Sequence, residues 1–159
     1  MLADPDVRVS SWSSRIFFDV LPSTQTPSDA LLEKILRDLE DEPLAPGEKL
    51  NLVGHSAGGI IVNNVANALR VRGIAVDNLI MVGTPLFPGS INAAMPTDVP
   101  ITNFDDAHDV LSTSKHGPNV TNIEVVQQNA AGTFDALTSH TAYMTNPIVI
   151  NAIRRLIAR

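Results

Sequence analysis

Lys49-Leu50-Asn51-Leu52-Val53-Gly54-His55-Ser56-Ala57-Gly58-Gly59 is the stretch that decides the fold. Its first half, Lys49 to Val53, is short and apolar and reads as a buried strand. Its second half opens a helix, Gly58 to Leu69, with Ile61, Val65, Ala68 and Leu69 on one side and Gly73 closing it. Between them lies Gly54-x-Ser56-x-Gly58, a serine on a strand-to-helix turn. A turn that sharp needs small residues, so Gly54 and Gly58 let strand and helix approach. Ser56 then takes a strained backbone conformation that lifts its hydroxyl above the sheet edge. The N–H of Ala57 points at the same spot from the first helical turn and can stabilise a developing oxyanion. The bland alternative is a Gly-rich turn with a chance serine; the placement between an apolar strand and a helix favours a nucleophile.

The alternation continues on both sides of this turn. Val7 to Ser10, continuing through Phe17, Phe18 and Val20, is β-prone, and Pro22 to Pro27 is a polar loop. Thr26-Pro27-Ser28-Asp29 reads as a helix start, followed by Leu31, Leu32, Ile35, Leu36 and Leu39 at helical spacing and stopped by Pro43, Pro46 and Gly47. Downstream, Val76–Val82, Val99–Phe104 and Val120–Gln127 read as strands. Ser90–Ala94 is a weak helical stretch, and Asn146-Pro147 opens a last helix with Val149, Ile153, Leu156 and Ile157 inward. Near-continuous apolar strands alternating with helices imply an α/β fold. The expectation is a mostly parallel sheet of about five strands with helices on both faces. Ligands in such sheets sit beyond the carboxyl ends of the strands, where the elbow serine lies.

Composition narrows the function classes. The 159 residues suit one domain, 1–159. Seventeen acidic against 11 basic residues give a net charge of −6, which removes the electrostatic footprint of a nucleic-acid binder. With no cysteine, thiol nucleophiles, disulfides and thiolate metal sites are excluded. His108, Asp109 and His116 lack metal-ligand spacing, so neither a metal nor a cofactor is expected. No apolar run reaches the ~18–20 residues of a membrane-spanning helix. The start, Met1 to Ser10, has no basic stretch followed by an apolar one. No signal peptide is therefore visible, and a cytoplasmic location is the default expectation unless the chain is a fragment of a secreted enzyme.

Leu50 to Gly59 resembles the elbow of α/β-hydrolase-fold lipases and esterases. Gly83-Thr84-Pro85 with Gly89-Ser90 resembles the GTP-H-x-GS stretch after the next strand in many lipases, with Leu86 where histidine is common. The resemblance covers residues 48–151 well and the first 25 poorly. Family order implies an acid after the strand Val99–Phe104 and a histidine after the last strand. Asp105, Asp106 and Asp109 compete as the acid. Asn103 followed by Asp109-Val110-Leu111 resembles the family's pattern, which makes Asp109 the first choice, Asp106 the alternative, and Asp105 a residue facing solvent or capping a turn. Of the four histidines, His55, His108, His116 and His140, the last precedes the final helix. Ser139-His140-Thr141-Ala142-Tyr143 with Asn146-Pro147 resembles an H-x-x-Y-x-x-N-P segment of lipase-like members, which implies His140 as the base. His55, the elbow's variable position, packs beside the site, and Leu86 and Phe87, with Ile91 and Met95, can wall an acyl pocket.

The resemblance also implies what is missing. The family's first strands are apparently absent, and no HG or HGGG motif supplies the second oxyanion donor. The fold expected is therefore a truncated α/β-hydrolase, with that donor taken from Trp12 to Ser14 or the 22–27 loop, or lost. Losing one donor costs on the order of 100- to 1,000-fold in turnover. The function implied is a serine hydrolase cleaving small-molecule or lipid carboxylic esters through Ser56, Asp109 and His140; acyl transfer uses the same residues. The alternative is a non-catalytic hydrolase-like binding module, which could form homo-oligomers through an exposed sheet edge.

Overall fold

The alternation becomes four parallel strands and four α-helices in the computed structural model, which describes residues 26–85, 95–109, 111–112, 117–126 and 136–158. The chain divides into two compact units, Met1–Gly47 and Glu48–Arg159. In the first, helix α1 spans Pro27–Asp41. It starts as its sequence dictates: the Asp29 N–H donates to Thr26 Oγ1, and the Thr26 N–H donates back to Asp29 Oδ2, both at 3.2 Å. Leu32 and Ile35 are its buried residues.

The second unit runs β1 (Asn51–His55), α2 (Ala57–Val71), β2 (Asn78–Val82), β3 (Ile101–Asp105) and β4 (Val120–Glu124). Then follow α3 (Ala136–Ala142), a 3-10 turn (Tyr143–Thr145) and α4 (Pro147–Ile157). The strands lie in the order β1-β2-β3-β4, every neighbouring pair parallel, with Leu52 beside Leu79, Ile80 beside Thr102 and Asn103 beside Asn122. Four strands stand among the described residues where about five were expected. The β-prone segment Val7–Val20 and the weak helix Ser90–Ala94 lie outside those residues.

Both faces of the sheet are covered. Ile80, Val82 and Phe104 form one core with Val125, Tyr143 and Val149, against which Ile153, Leu156 and Ile157 of α4 pack. Because side chains alternate along a strand, Leu79 and Met81 point the other way, and both are also fully buried. Helix α2 packs along β1 and β2 on that side through Ile61, Val65 and Leu69. The α4 cap forms at the dipeptide that announced it: Pro147 is in the first turn and the Ile148 N–H donates to Asn146 Oδ1 at 2.8 Å.

The first three strands start two residues later than their apolar runs, and β4 starts at Val120 as expected but ends at Glu124. Leu50 belongs to the connection, where its N–H donates to Asp77 Oδ2 at 2.9 Å and its carbonyl accepts from the Asp77 N–H at 2.8 Å. Parallel pairing puts all four carboxyl ends along one rim, and the ladder continues past them. Ser56 N–H donates to Val82 O at 2.9 Å, Gly83 N–H to Phe104 O at 2.8 Å, and Val125 N–H to Asp105 O at 2.7 Å. The first residue beyond each of these three ends is therefore still tied to the neighbouring strand.

Candidate active site

The elbow forms at the rim between β1 and α2. Ser56 has φ 55° and ψ −131°, and it is the non-glycine residue with positive φ among the described residues. Such a conformation costs on the order of 1–3 kcal/mol and persists only where its surroundings impose it. Here the glycines impose it. A Cβ at Gly54 would lie against Gly58 O, 2.5 Å from Gly58 C and 2.6 Å from Gly59 N. Gly59 is equally confined, since a Cβ there would meet Thr84 Oγ1 and come within 2.8 Å of Thr84 Cβ. Gly58, expected to share this role, has no described atom within 4 Å of where its Cβ would be. The close approach belongs to Gly54 and Gly59, and it is through Gly59 and Thr84 that the two glycine-bearing motifs touch.

Ser56 occupies the N-cap of α2, where a serine ordinarily bonds the first helical turn. It makes no such bond. Its Oγ lies 2.8 Å from His140 Nε2 instead. His140 Nδ1 lies 2.9 Å from Asp109 Oδ2, completing a hydrogen-bonded Ser–His–Asp chain. The three come from different elements: the β1–α2 turn, α3, and the loop after β3. His140 and Asp109 are buried and Ser56 is half-buried. Ala57, the first residue of α2, follows directly and orients its N–H with the helix start.

Asp109 is tightly bound. Oδ2 also accepts from Ser112 Oγ at 2.6 Å and from the Tyr143 hydroxyl at 3.1 Å, and Oδ1 accepts from the Leu111 N–H at 3.0 Å. Burial works against its charge, but the hydrogen bonds from Ser112, His140 and Leu111, with the attraction of His140, win, and its carboxyl is held below the ordinary value of 3.8. Burial also pushes the Tyr143 phenol well above its usual range, helped by the neighbouring Asp109 and Asp106 charges.

The other acidic candidates do different work. Asp106 is fully buried, and its Oδ1 accepts from the His108 N–H at 2.8 Å and lies 3.0 Å from His108 Nδ1. Asp105, expected to face solvent or cap a turn, is instead the buried last residue of β3, because that strand runs between β2 and β4. His55 Nε2 is 3.0 Å from the His140 carbonyl oxygen, and the two rings lie 5.4 Å apart. His116, Leu86, Phe87 and Ile91 lie outside the described residues, as do the segments 12–14 and 22–25 proposed as a second oxyanion donor.

Sequence reasoning missed three contributors. Ser112 carried only the signal of a hydroxyl three residues after an aspartate; Tyr143 was visible only inside the H-x-x-Y resemblance; and Gly59 was overlooked beside Gly58. Among the described residues, no group of three or more His, Asp or Glu side chains could hold a metal ion. No described helix is long and apolar enough to cross a membrane.

No protein-family model and no curated protein matches the chain. Among solved structures it is similar to the NocB thioesterase domain from the nocardicin cluster, with a TM-score of 0.55 and 13% identity over 86% of this chain and 77% of that one. The covalent complex of that domain with a fluorophosphonate nocardicin G analogue gives a TM-score of 0.50 and 12% identity over 86% and 78% of the two chains. RedJ, a thioesterase from the prodiginine biosynthetic pathway of Streptomyces coelicolor, with a PEG molecule bound in its active site, gives 0.50 and 17% over 82% and 72%. At such identities the likeness concerns the fold, which is α/β-hydrolase-like.

Proposed function

We propose that the chain is a serine hydrolase that cleaves acyl esters or thioesters through an acyl-enzyme. The observation that carries this reading is an N-cap serine that forgoes its cap. Ser56 holds a strained backbone and presents Oγ to a histidine 2.8 Å away, itself bound to a carboxylate at 2.9 Å. A serine kept only for its turn would gain from bonding the helix start.

In the first half-reaction Ser56 Oγ attacks the acyl carbonyl carbon as its proton passes to His140 Nε2. Asp109 holds the imidazole with Nδ1 protonated and stabilises the imidazolium. The Ala57 N–H stabilises the developing oxyanion. The tetrahedral intermediate collapses, the bond from carbonyl carbon to leaving oxygen or sulfur breaks, and His140 returns the proton to the leaving alcohol or thiol. Water, deprotonated by His140, then releases the acid. Within this class, hydrolysis of carboxylic esters in the manner of lipases and esterases is the reading drawn from the elbow and Gly83-Thr84-Pro85. Thioesters present the same carbonyl with a better leaving group, and the NocB domain, which is similar in fold, is a thioesterase by name.

A short-chain p-nitrophenyl ester and an acyl thioester, assayed in parallel with Ser56→Ala, test the reading. Turnover of either, lost in the variant, is expected. No turnover of both, together with no covalent labelling of Ser56 by a fluorophosphonate, sinks it and leaves a non-catalytic hydrolase-like module.

A further inference from the structure

Asp109 is held by more than the orienting of an imidazole requires. Three donors converge on Oδ2: His140 Nδ1 at 2.9 Å, Ser112 Oγ at 2.6 Å and the Tyr143 hydroxyl at 3.1 Å. Ser112 Oγ and the Tyr143 hydroxyl are also 3.1 Å from each other. Tyr143 follows His140 by three residues, across the junction of α3 and the 3-10 turn, so one short segment brings both groups to the carboxylate. Its ring is fully buried. Space for that ring exists because residue 83 is glycine with φ 56°: a Cβ there would lie 2.6 Å from Tyr143 Cε2 and 2.9 Å from Cδ2.

We infer that Tyr143 is a positioning residue for this site: with Ser112 it fixes Asp109 Oδ2 against His140 Nδ1, and Gly83 admits the ring. A core tyrosine needs only some acceptor for its hydroxyl. This one uses the atom on which the imidazole depends, so its loss reaches Ser56 through two other residues. The rate effect rests on the serine-nucleophile reading above.

The consequence has a sign. Each donor draws charge from Oδ2, and removing one leaves more negative charge facing His140, which favours the imidazolium. Among the described residues, the other titratable group beside the imidazole is His55 at the end of β1, with ring centroids 5.4 Å apart. Those facing the phenol are Asp109, Asp106 and His55.

The rate of fluorophosphonate reaction at Ser56, followed across pH, tests this in Tyr143→Phe. Loss of a hydrogen bond to a charged group corresponds to about a tenfold slowing, and the acid limb should move to higher pH. A wild-type rate overturns the inference, and so does a slower rate with an unmoved acid limb, which is what lost packing would give. A second measurement needs no reactivity. Tyr143 is the one tyrosine of the sequence, so the tyrosinate absorbance band reports it alone. Asp109→Asn removes the charge and should let Tyr143 ionise at lower pH; an unchanged titration overturns the inference. An unlabelled wild-type protein refutes the nucleophile reading instead, and the titration still decides whether Asp109 and Tyr143 are joined.

Discussion

Replacing Gly54 by alanine puts one methyl group where α2 meets β1. Its Cβ would press on Gly58 O and lie 2.5 Å from Gly58 C and 2.6 Å from Gly59 N. Carbon contacts relax at about 3.5–4.0 Å, so the first helical turn must retreat by about 1 Å. The obstructing atoms are backbone and cannot swing aside. Overpacking of this kind costs about 1–3 kcal/mol of stability. The same displacement acts on Ser56, whose Oγ must stay 2.8 Å from His140 Nε2; about 1 Å of misplacement is worth about 100-fold in rate. Urea unfolding reads the first quantity as a lowered midpoint at unchanged slope, and fluorophosphonate labelling of Ser56 reads the second. Gly58→Ala is the matched control. With no described atom within 4 Å of its Cβ, alanine should fit and add about 0.5–1 kcal/mol through its helix propensity. A Gly54→Ala protein that labels at the wild-type rate with an unmoved midpoint would refute the steric account of the elbow.

Four further outcomes follow from the geometry. Ser56→Gly and Ser56→Ala should both abolish labelling, but glycine relieves the positive φ and should be more stable than alanine by about 1 kcal/mol; equal midpoints would show that the turn stores no strain. Asp109→Asn should slow ester turnover by up to about 10,000-fold, whereas Asp106→Asn, which touches His108, should leave it near wild type; the reverse order would transfer the acid role. Because the Asp109 carboxyl is depressed in the folded state, its contribution to stability is complete above 3.8 and lost as pH falls through its folded value. The stability gap between wild type and Asp109→Asn should thus narrow as pH falls below the ordinary value of 3.8, and a constant gap in urea melts would contradict that. His55→Leu removes the 3.0 Å bond to the His140 carbonyl and should cost about 1 kcal/mol, about fivefold in labelling rate; an unchanged rate would reduce His55 to packing.

What the sequence disclosed follows from how local each signal is. The elbow, the caps at Thr26 and Asn146 and the strands β1 to β4 rest on contiguous residues whose propensities agree. Helix α3 was not legible. Its seven residues, Ala136 to Ala142, include two threonines, a serine and a histidine, which are weak helix formers, and a helix that short depends on tertiary contacts. The Tyr143 bond to Asp109 was not legible either, because it joins residues 34 apart in sequence. Val53 shows the opposite failure. It ends a run that reads as a buried strand, yet it is 40% exposed, because β1 lies at one end of the described sheet. An apolar run announces a strand without saying whether a neighbour covers it.

The order in which the strands lie has a consequence for assembly. Each parallel neighbour is reached only by a long crossover, and Ser56 and His140 are 84 residues apart. Closing a loop of that length costs about 4 kcal/mol of chain entropy. A partly folded chain can form the elbow hairpin of strand and helix and still hold a serine no more nucleophilic than an ordinary alcohol. Covalent capture of Ser56 would then count only those molecules whose last third has docked, which makes the same reagent a clock for the completion of folding.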